Sequence, residues 1–222
     1  MQQALIVGAG SGISASLARR LAGRGYRVAL AARDAGKLAA LAAETGASVH
    51  ACDTAEPAQV EALFAAAGTP DVVLYNASFR VRGPFLELDP AAVARTLAVS
   101  AFGGFLVAQQ AVKRMLPRGA GCILFTGASA SVKGYPQSAP FAMGKFALRG
   151  LAQSLAREMH PMGIHVAHVV VDGGVRSAAR PDPAADSLLD PDAIADAMIG
   201  LIDQPRSAWS DEIALRPWVE RF

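Results

Sequence analysis

Three glycines at alternate positions open the first helical pattern of the chain. The run Gly8-Ala9-Gly10-Ser11-Gly12-Ile13 directly follows a short apolar stretch at residues 4–7. Backbone N–H groups at the start of a helix can hold a diphosphate when no side chain stands in the way, and glycines provide that access. The turn therefore predicts a dinucleotide-binding site formed by Gly8, Gly10, Ser11, Gly12 and Ile13.

The end of the second apolar run bears on which dinucleotide is bound. A carboxylate about 20 residues after the glycine turn reads the ribose of NAD, whereas an arginine nearby accommodates the 2′-phosphate of NADP. The run ends in Ala31-Ala32-Arg33-Asp34. Arg33 favours NADP. We expect Asp34 to cap the helix that follows, but it could also accept a bond from a ribose hydroxyl, so NAD stays possible.

The rest of the chain alternates short apolar runs, typical of buried strands, with longer helical patterns. Strands joined by helices pair in parallel, so the pattern predicts an α/β fold with a single Rossmann-type doubly wound parallel sheet and helices on both faces. We expect one domain over residues 1–222, in which segment 177–190 is either a short lid or a surface connection. The expected strands are residues 4–7, 27–32, 48–52, 71–75, 122–126, 165–171 and 211–215, and the expected helices are residues 13–22, 37–44, 57–67, 97–115, 138–160 and 192–202.

Composition and charge argue against several classes of function. The net charge is only +2 and the basic residues form no stripe, so we expect no nucleic-acid partner. Leu97–Val112 is too short and too interrupted by polar residues to predict a membrane span. Cys52 and Cys122 lie in apolar runs and are expected to be buried free thiols, which favours the cytoplasm, as does the lack of a leader before the first strand. His165 and His168 have no ligand partners nearby in sequence, so no metal site is predicted.

From the glycine turn to about Ser177, the chain resembles the short-chain dehydrogenase/reductase family. Residues 75–78 resemble the family's Asn-Asn-Ala-Gly element, residues 99–112 its interface helix, residues 141–145 its Tyr-x-x-x-Lys motif, and residues 172–177 its Pro-Gly-x-Val-x-Thr loop. The resemblance implies hydride transfer between NADP, or NAD, and a small-molecule substrate, in a homodimer or homotetramer. It also implies cofactor contacts from Asp53 at the adenine, Asn76, Ala77, Lys145 at the ribose, and Gly173, Val175 and Ser177 around the nicotinamide.

The departures from the family pattern are concentrated where the chemistry would occur. The position of the tyrosine acid holds Phe141, the serine position holds Ala128, and the asparagine position holds Ser100. The third family glycine is Ser14. Phenylalanine has no ionisable proton, and losing a positioned general acid typically costs about 10²–10⁴ in rate.

Several groups could replace the missing acid. Ser129 and Ser131 lie beside the vacant serine position, Tyr135 is close in sequence, and Lys145 or an ordered water could also move a proton. We take Lys145, Ser129 and Ser100 as the candidate catalytic residues. The candidate substrate pocket consists of Phe141, Ser131, Tyr135 and Arg80.

Arg80 and Arg82 follow the fourth expected strand, at the carboxyl edge where ligands of such sheets bind. They either form charge-assisted bonds to an anionic substrate or belong to a solvated loop.

Two functions fit these residues. One is an NADP-dependent oxidoreductase with a non-standard proton route, for which reduction of an imine or a conjugated double bond suits Phe141 better than reduction of a plain ketone. The alternative is a catalytically silent dinucleotide-binding protein that acts as a sensor or partner subunit.

Overall fold

A seven-stranded, entirely parallel sheet organises the computed structural model, which describes residues 1–220. The strand order is β3-β2-β1-β4-β5-β6-β7, as the predicted doubly wound fold requires. Residues 221 and 222, which the predicted domain includes, lie outside the described residues. The strands are β1 Gln3–Val7, β2 Arg27–Ala32, β3 Ser48–Ala51, β4 Val72–Tyr75, β5 Gly121–Thr126, β6 Ile164–Val171 and β7 Glu212–Leu215.

Helices cover both faces of this sheet and enclose two hydrophobic cores. One core joins the sheet to α3, α5 and α6, and the other joins it to α1, α2 and α7, once the helices are numbered in chain order. The predicted α/β fold class is therefore confirmed. The helices are α1 Ile13–Gly23, α2 Ala39–Thr45, α3 Pro57–Ala67, α4 Pro90–Leu97, α5 Gly103–Met115, α6 Ala139–Met159 and α7 Pro191–Ile202.

Local sequence explains where the helices begin. Asp89 accepts hydrogen bonds from the amides of Ala91 and Ala92 at the start of α4, and Asp190 accepts one from Asp192 N at the start of α7. Such side chains satisfy amides that have no partner within the helix. By contrast, Gly12 precedes α1 without a side-chain cap, so the first turn of α1 keeps its amides available.

The long helix expected at residues 97–115 has a different form in the structure. Helix α4 begins earlier, and a π-helical segment, Ala98–Phe102, joins it to α5. Taken together, Pro90–Arg118 is long and apolar enough to cross a membrane by length and composition alone. However, Val107, Ala108, Ala111 and Met115 pack in the core on one face of the sheet, which accounts for part of that apolar character. The absence of a membrane and a cytoplasmic location stay predictions.

The topology creates a crevice at the carboxyl end of β1. The chain leaves β1 toward β2 on one side, and β4 lies on the other side, so the connections diverge above β1. Asn76 N donates to Val7 O at 2.8 Å, which continues the pairing of β1 and β4 to the edge of this crevice. Cys52 and Cys122 are buried and unpaired, as predicted.

Candidate active site

The crevice holds a cleft of about 740 Å³ that is lined by residues following β1, β2, β3 and β4. Gly8, Gly10 and Ser11 of the predicted glycine turn line it. Within residues 1–220, the amides of Gly10 through Ser14 donate no hydrogen bond to the protein. These free donors stand at the start of α1, where the helix dipole favours an anion.

The glycines of the turn serve two purposes. Gly8 has a φ of +79°, and a Cβ there would lie 2.2 Å from Ala77 N, so this position requires glycine for the close approach of β4. A Cβ on Gly10 or Gly12 would instead meet nothing within 4 Å. A side chain at either position would therefore extend into open space above the free amides. This cradle fits a diphosphate.

Asn76 and Ser14 connect β4 to the glycine turn. Asn76 Nδ2 donates to Ser14 Oγ at 2.9 Å and to Gly8 O at 3.3 Å. The serine at the family's third glycine position thus orients Asn76, which lines the cleft.

The far end of the cleft carries positive charge. Arg33, at the end of β2, lines the cleft, and so do Asp34 and Lys37. Lys37 Nζ lies 3.3 Å from Asp34 Oδ2, which reduces the influence of that carboxylate. Asp34 stands at the start of a 3₁₀ turn, Ala35–Leu38, but its side chain makes no capping bond there, contrary to expectation. Sequence reasoning missed Lys37, although its position one turn after Arg33 was a usable signal.

Asp53 lies beside the cleft but has other partners. Its neighbours Cys52 and Thr54 line the cleft, whereas its own carboxylate pairs with Arg95 and accepts a bond from Ala55 N at 3.1 Å. Partial burial raises the pKa of Asp53, but these partners outweigh that effect and hold it below its ordinary value. For the Asp53 carboxylate to contact an adenine, it would have to bind the adenine and Arg95 at the same time.

A second cavity, of about 410 Å³, adjoins the first cleft. Asn76 and Ser78 line both. Most of the predicted substrate and nicotinamide residues also lie here, together with Ile13 of the glycine turn. They are Phe141, Tyr135, Arg80, Ser129, Lys145, Gly173 and Val175.

Lys145 is buried at the base of this second cavity. Its ammonium donates to the Thr126 carbonyl oxygen at 2.7 Å. Burial lowers the pKa of Lys145 to about 8. The Thr126 hydroxyl is also buried, lines the same cavity and has no hydrogen-bond partner among the described residues. The described residues therefore leave part of the hydrogen-bonding capacity of both groups unused.

Phe141, at the position that the resemblance gives to the family's tyrosine, lines the wall of the second cavity. The Arg80 guanidinium lies 4.9 Å from the centroid of the Phe141 ring, and Lys145 Nζ lies 5.9 Å from it. The ring is thus flanked by two cations, an arrangement that an aromatic face favours.

Ser129 and Asp172 form a polar pair that sequence reasoning overlooked. Ser129 lines the second cavity, and its hydroxyl is beside the carboxylate of Asp172, which is buried behind the wall. Burial raises the pKa of Asp172, but Ser129 and the cations Lys133 and Arg216 outweigh it, so the pKa lies below its ordinary value. A sequence signal for Asp172 did exist, since an aspartate stands where the resemblance places the first proline of the family's loop.

Three of the predicted serine residues line neither cavity, and their roles stay predictions. Ser131 is fully buried, and its hydroxyl accepts a bond from Ala128 N at 3.1 Å. Ser100 is also fully buried, within the π-helical segment, and its hydroxyl accepts a bond from Phe79 N at 3.4 Å. Ser177 lines a separate depression together with Ser11 of the glycine turn, and its hydroxyl accepts a bond from Arg180 N at 3.1 Å.

The described residues contain no group of three or more side chains that could hold a metal ion. His168 Nδ1 instead lies 2.9 Å from Glu212, and His165 stacks on Trp209.

Comparison with known proteins adds to this geometry. The family model of short chain dehydrogenases matches residues 2–185. D-threitol dehydrogenase from Mycolicibacterium smegmatis is 32% identical over 223 residues, which cover 95% of this chain and 82% of that protein. A short-chain dehydrogenase structure from Rhodopseudomonas palustris has a TM-score of 0.87 at 33% identity and covers 98% of this chain and 99% of its own. A metagenomic short-chain oxidoreductase in complex with NADP has a TM-score of 0.85 at 28% identity, with 98% of both chains covered.

Proposed function

Because this chain belongs to the short-chain dehydrogenase family, we propose that it is an NADP-dependent oxidoreductase whose proton route uses no tyrosine. It would transfer a hydride to or from a small organic substrate. The single observation that carries the proposal is that the two cavities share a wall: Asn76 and Ser78 line both the cleft with the free amides of α1 and the cavity with the buried Lys145.

The proposed cofactor is a nicotinamide dinucleotide, and its nicotinamide would supply or accept the hydride. The free amides of Gly10 to Ser14 would hold its diphosphate. Lys145 would lie at the ribose next to the nicotinamide. The choice of NADP over NAD is supported by Arg33 and Lys37, which line the far end of the cleft, and by a similar structure solved with NADP.

Lys145 is the proposed source of the proton. An acid works best when its pKa lies near the working pH, and the pKa of Lys145 is lowered to about 8. In the reductive direction its ammonium would give a proton to the substrate as the hydride arrives at carbon, and solvent would then reprotonate the amine. In the oxidative direction the neutral amine would accept the proton.

Ser129 is the proposed hydrogen-bond acceptor from a polar N–H or O–H group of the substrate. Asp172 beside it is negatively charged and would take the one proton of the hydroxyl in a hydrogen bond, which leaves the Ser129 oxygen to accept. Because no tyrosine acid stands at Phe141, imines and conjugated double bonds remain the better substrates, since they need a less demanding protonation than a plain ketone.

Coenzyme binding and turnover by the purified protein test the proposal. We expect NADPH to bind more tightly than NADH in fluorescence titrations, and we expect imines or conjugated double bonds to be reduced with consumption of NADPH. Failure to bind either reduced coenzyme would overturn the proposal. Binding without turnover of any substrate in a broad panel would instead favour the silent dinucleotide-binding protein.

We also propose that the protein forms a homodimer or homotetramer through α5 and α6. Phe102 and Phe105 expose 47% and 41% of their surface beside each other, and Met143 and Phe146 of α6 are similarly exposed. Large apolar side chains grouped on two neighbouring helices favour contact with another subunit.

A further inference from the structure

Three arginines of the second cavity have no acidic partner. Arg80, Arg82 and Arg180 line this cavity, and within residues 1–220 their guanidinium groups make no ion pair or hydrogen bond. Arg33, in the cofactor cleft, is the one other described arginine of this kind. Each of the remaining described arginines donates at least one hydrogen bond from its side chain.

Two of the three guanidinium groups lie close against other residues of the cavity wall. Arg80 lies 4.9 Å from the centroid of the Phe141 ring. Arg180 lies over Gly174, where an added Cβ would come within 2.6 Å of its Cζ, so this approach requires a glycine. A planar guanidinium stacked in this way keeps the N–H groups along its edge free to donate.

No carboxylate offsets this charge inside the cavity. The residues that line it include no aspartate or glutamate. The nearby Asp172 has a side chain only 3% exposed and is already close to Lys133 and Arg216. Three arginines and Lys145 therefore share about 410 Å³, and their mutual repulsion falls when an anion enters.

From this arrangement we propose that the second cavity recognises an anionic group of the substrate, either a carboxylate or a phosphate, through Arg80, Arg82 and Arg180. The proposal rests on the proposed function, since it names the class of substrate that the oxidoreductase accepts. The planar donor edge of arginine matches both anions, which can each accept two parallel hydrogen bonds. Phe141 would then contribute to substrate binding, since its ring lies against Arg80, one of the arginines that bind the anion.

Calorimetric titration of the purified protein, saturated with NADP⁺, tests this site. The probes are benzoate, benzyl phosphate and the neutral benzamide, and comparing the first two distinguishes a carboxylate site from a phosphate site. We expect at least one anion to bind about tenfold more tightly than benzamide. We expect R80Q and R180Q each to weaken that binding about fivefold or more, and R80Q plus R180Q together to weaken it further.

R157Q is the matched control, because Arg157 is exposed, lies outside both cavities and bonds only to the Gln153 carbonyl oxygen. It removes the same charge and leaves anion binding unchanged under this proposal. R80K adds a second comparison, since it keeps the charge but loses the stacked planar group, and we expect it to bind the anion less well than the parent protein. Thermal unfolding of each variant checks that its fold is retained.

Three results would overturn the anion site. The first is that the anions bind no better than benzamide. The second is that R80Q and R157Q lose the same amount of affinity for the anion. The third is weaker NADP⁺ binding by R80Q and R180Q with unchanged anion binding, because these arginines would then serve the cofactor. Parallel titration of the protein without coenzyme separates this test from the proposed function: anion binding alongside no coenzyme binding supports the site while the oxidoreductase assignment fails.

Discussion

The ammonium of Lys145 donates a 2.7 Å hydrogen bond to the backbone carbonyl of Thr126, at the end of β5. This is its only hydrogen bond among the described residues, and the side chain is buried. A charge in such a place is poorly compensated, and burial accordingly lowers the pKa of Lys145 to about 8. The same lack of compensation leaves the ammonium able to bind a sugar hydroxyl and to release a proton near neutral pH.

Reduction by this protein is expected to lose rate as the pH rises through about 8, because the ammonium of Lys145 must be protonated to act as the acid. Oxidation is expected to show the opposite dependence. Profiles of kcat against pH in both directions check this, with coenzyme binding measured over the same range. A reductive kcat that does not change across that range would exclude Lys145 as the proton donor.

Lys145→Met is expected to stabilise the protein without ligand. The pKa falls from 10.5 to about 8 on folding, so the folded state binds fewer protons than the unfolded state between these values, and stability rises with pH there. Below a pH of about 8, Lys145 stays protonated in the folded protein, so the full free-energy cost of burying its ammonium remains. Allowing for the lost bond to Thr126, we expect a gain of about 1–3 kcal/mol in the free energy of unfolding at neutral pH.

Urea unfolding at several pH values measures this difference in free energy between the variant and the parent protein. The difference should shrink as the pH approaches 10.5, because the parent protein becomes more stable over that range and the variant, which lacks the lysine, does not. NADPH binding should weaken in the same variant. A destabilised variant at neutral pH, with its secondary structure retained, would show that the ammonium is better compensated than its single bond indicates.

Arg33→Ala is expected to raise the KM for NADPH about tenfold and to leave the KM for NADH nearly unchanged. A charge-assisted bond to a phosphate typically accounts for a change of this size, and Lys37 on the same side of the cleft retains part of the attraction. Arg157→Ala serves as the control, since Arg157 is remote from the cleft. Equal losses with both coenzymes would mean that Arg33 does not read the 2′-phosphate.

Phe141→Tyr is expected to raise the rate of plain ketone reduction about 10²-fold. The new hydroxyl would stand in the second cavity with Lys145 Nζ within 5.9 Å of the ring centre, and a nearby ammonium lowers the pKa of a phenol. Steady-state rates with NADPH and a panel of ketones test this. If the gain is absent although NADPH still binds, the cavity does not position a carbonyl, and the silent dinucleotide-binding alternative gains support.

Sequence reasoning succeeded where the relevant structure is local. The strand that ends just before Arg33 and the glycine turn that opens α1 could both be located, because periodicity and glycine spacing report directly on nearby backbone. It did not show the surroundings of Ser100 and Ser131, since position along the chain does not show whether a hydroxyl faces a cavity or a backbone amide. It also missed Arg180, whose place in the cavity depends on the path of segment 177–190 and on a contact with Gly174.

Phe105→Glu is expected to dissociate the proposed oligomer into monomers. Phe105 stacks on Phe102 at a centroid distance of 6.2 Å, and both rings are about half exposed at the start of α5, so a subunit interface there would bury two aromatic side chains together. A carboxylate at the centre of such an interface loses its hydration without a partner, which is costly.

Sedimentation velocity at matched concentrations measures the change. Phe85→Glu is the control, because Phe85 is 77% exposed on a short turn that belongs to neither α5 nor α6. If the parent protein itself sediments as a monomer, or if the control dissociates as readily as Phe105→Glu, then the exposed rings of α5 do not form the subunit contact.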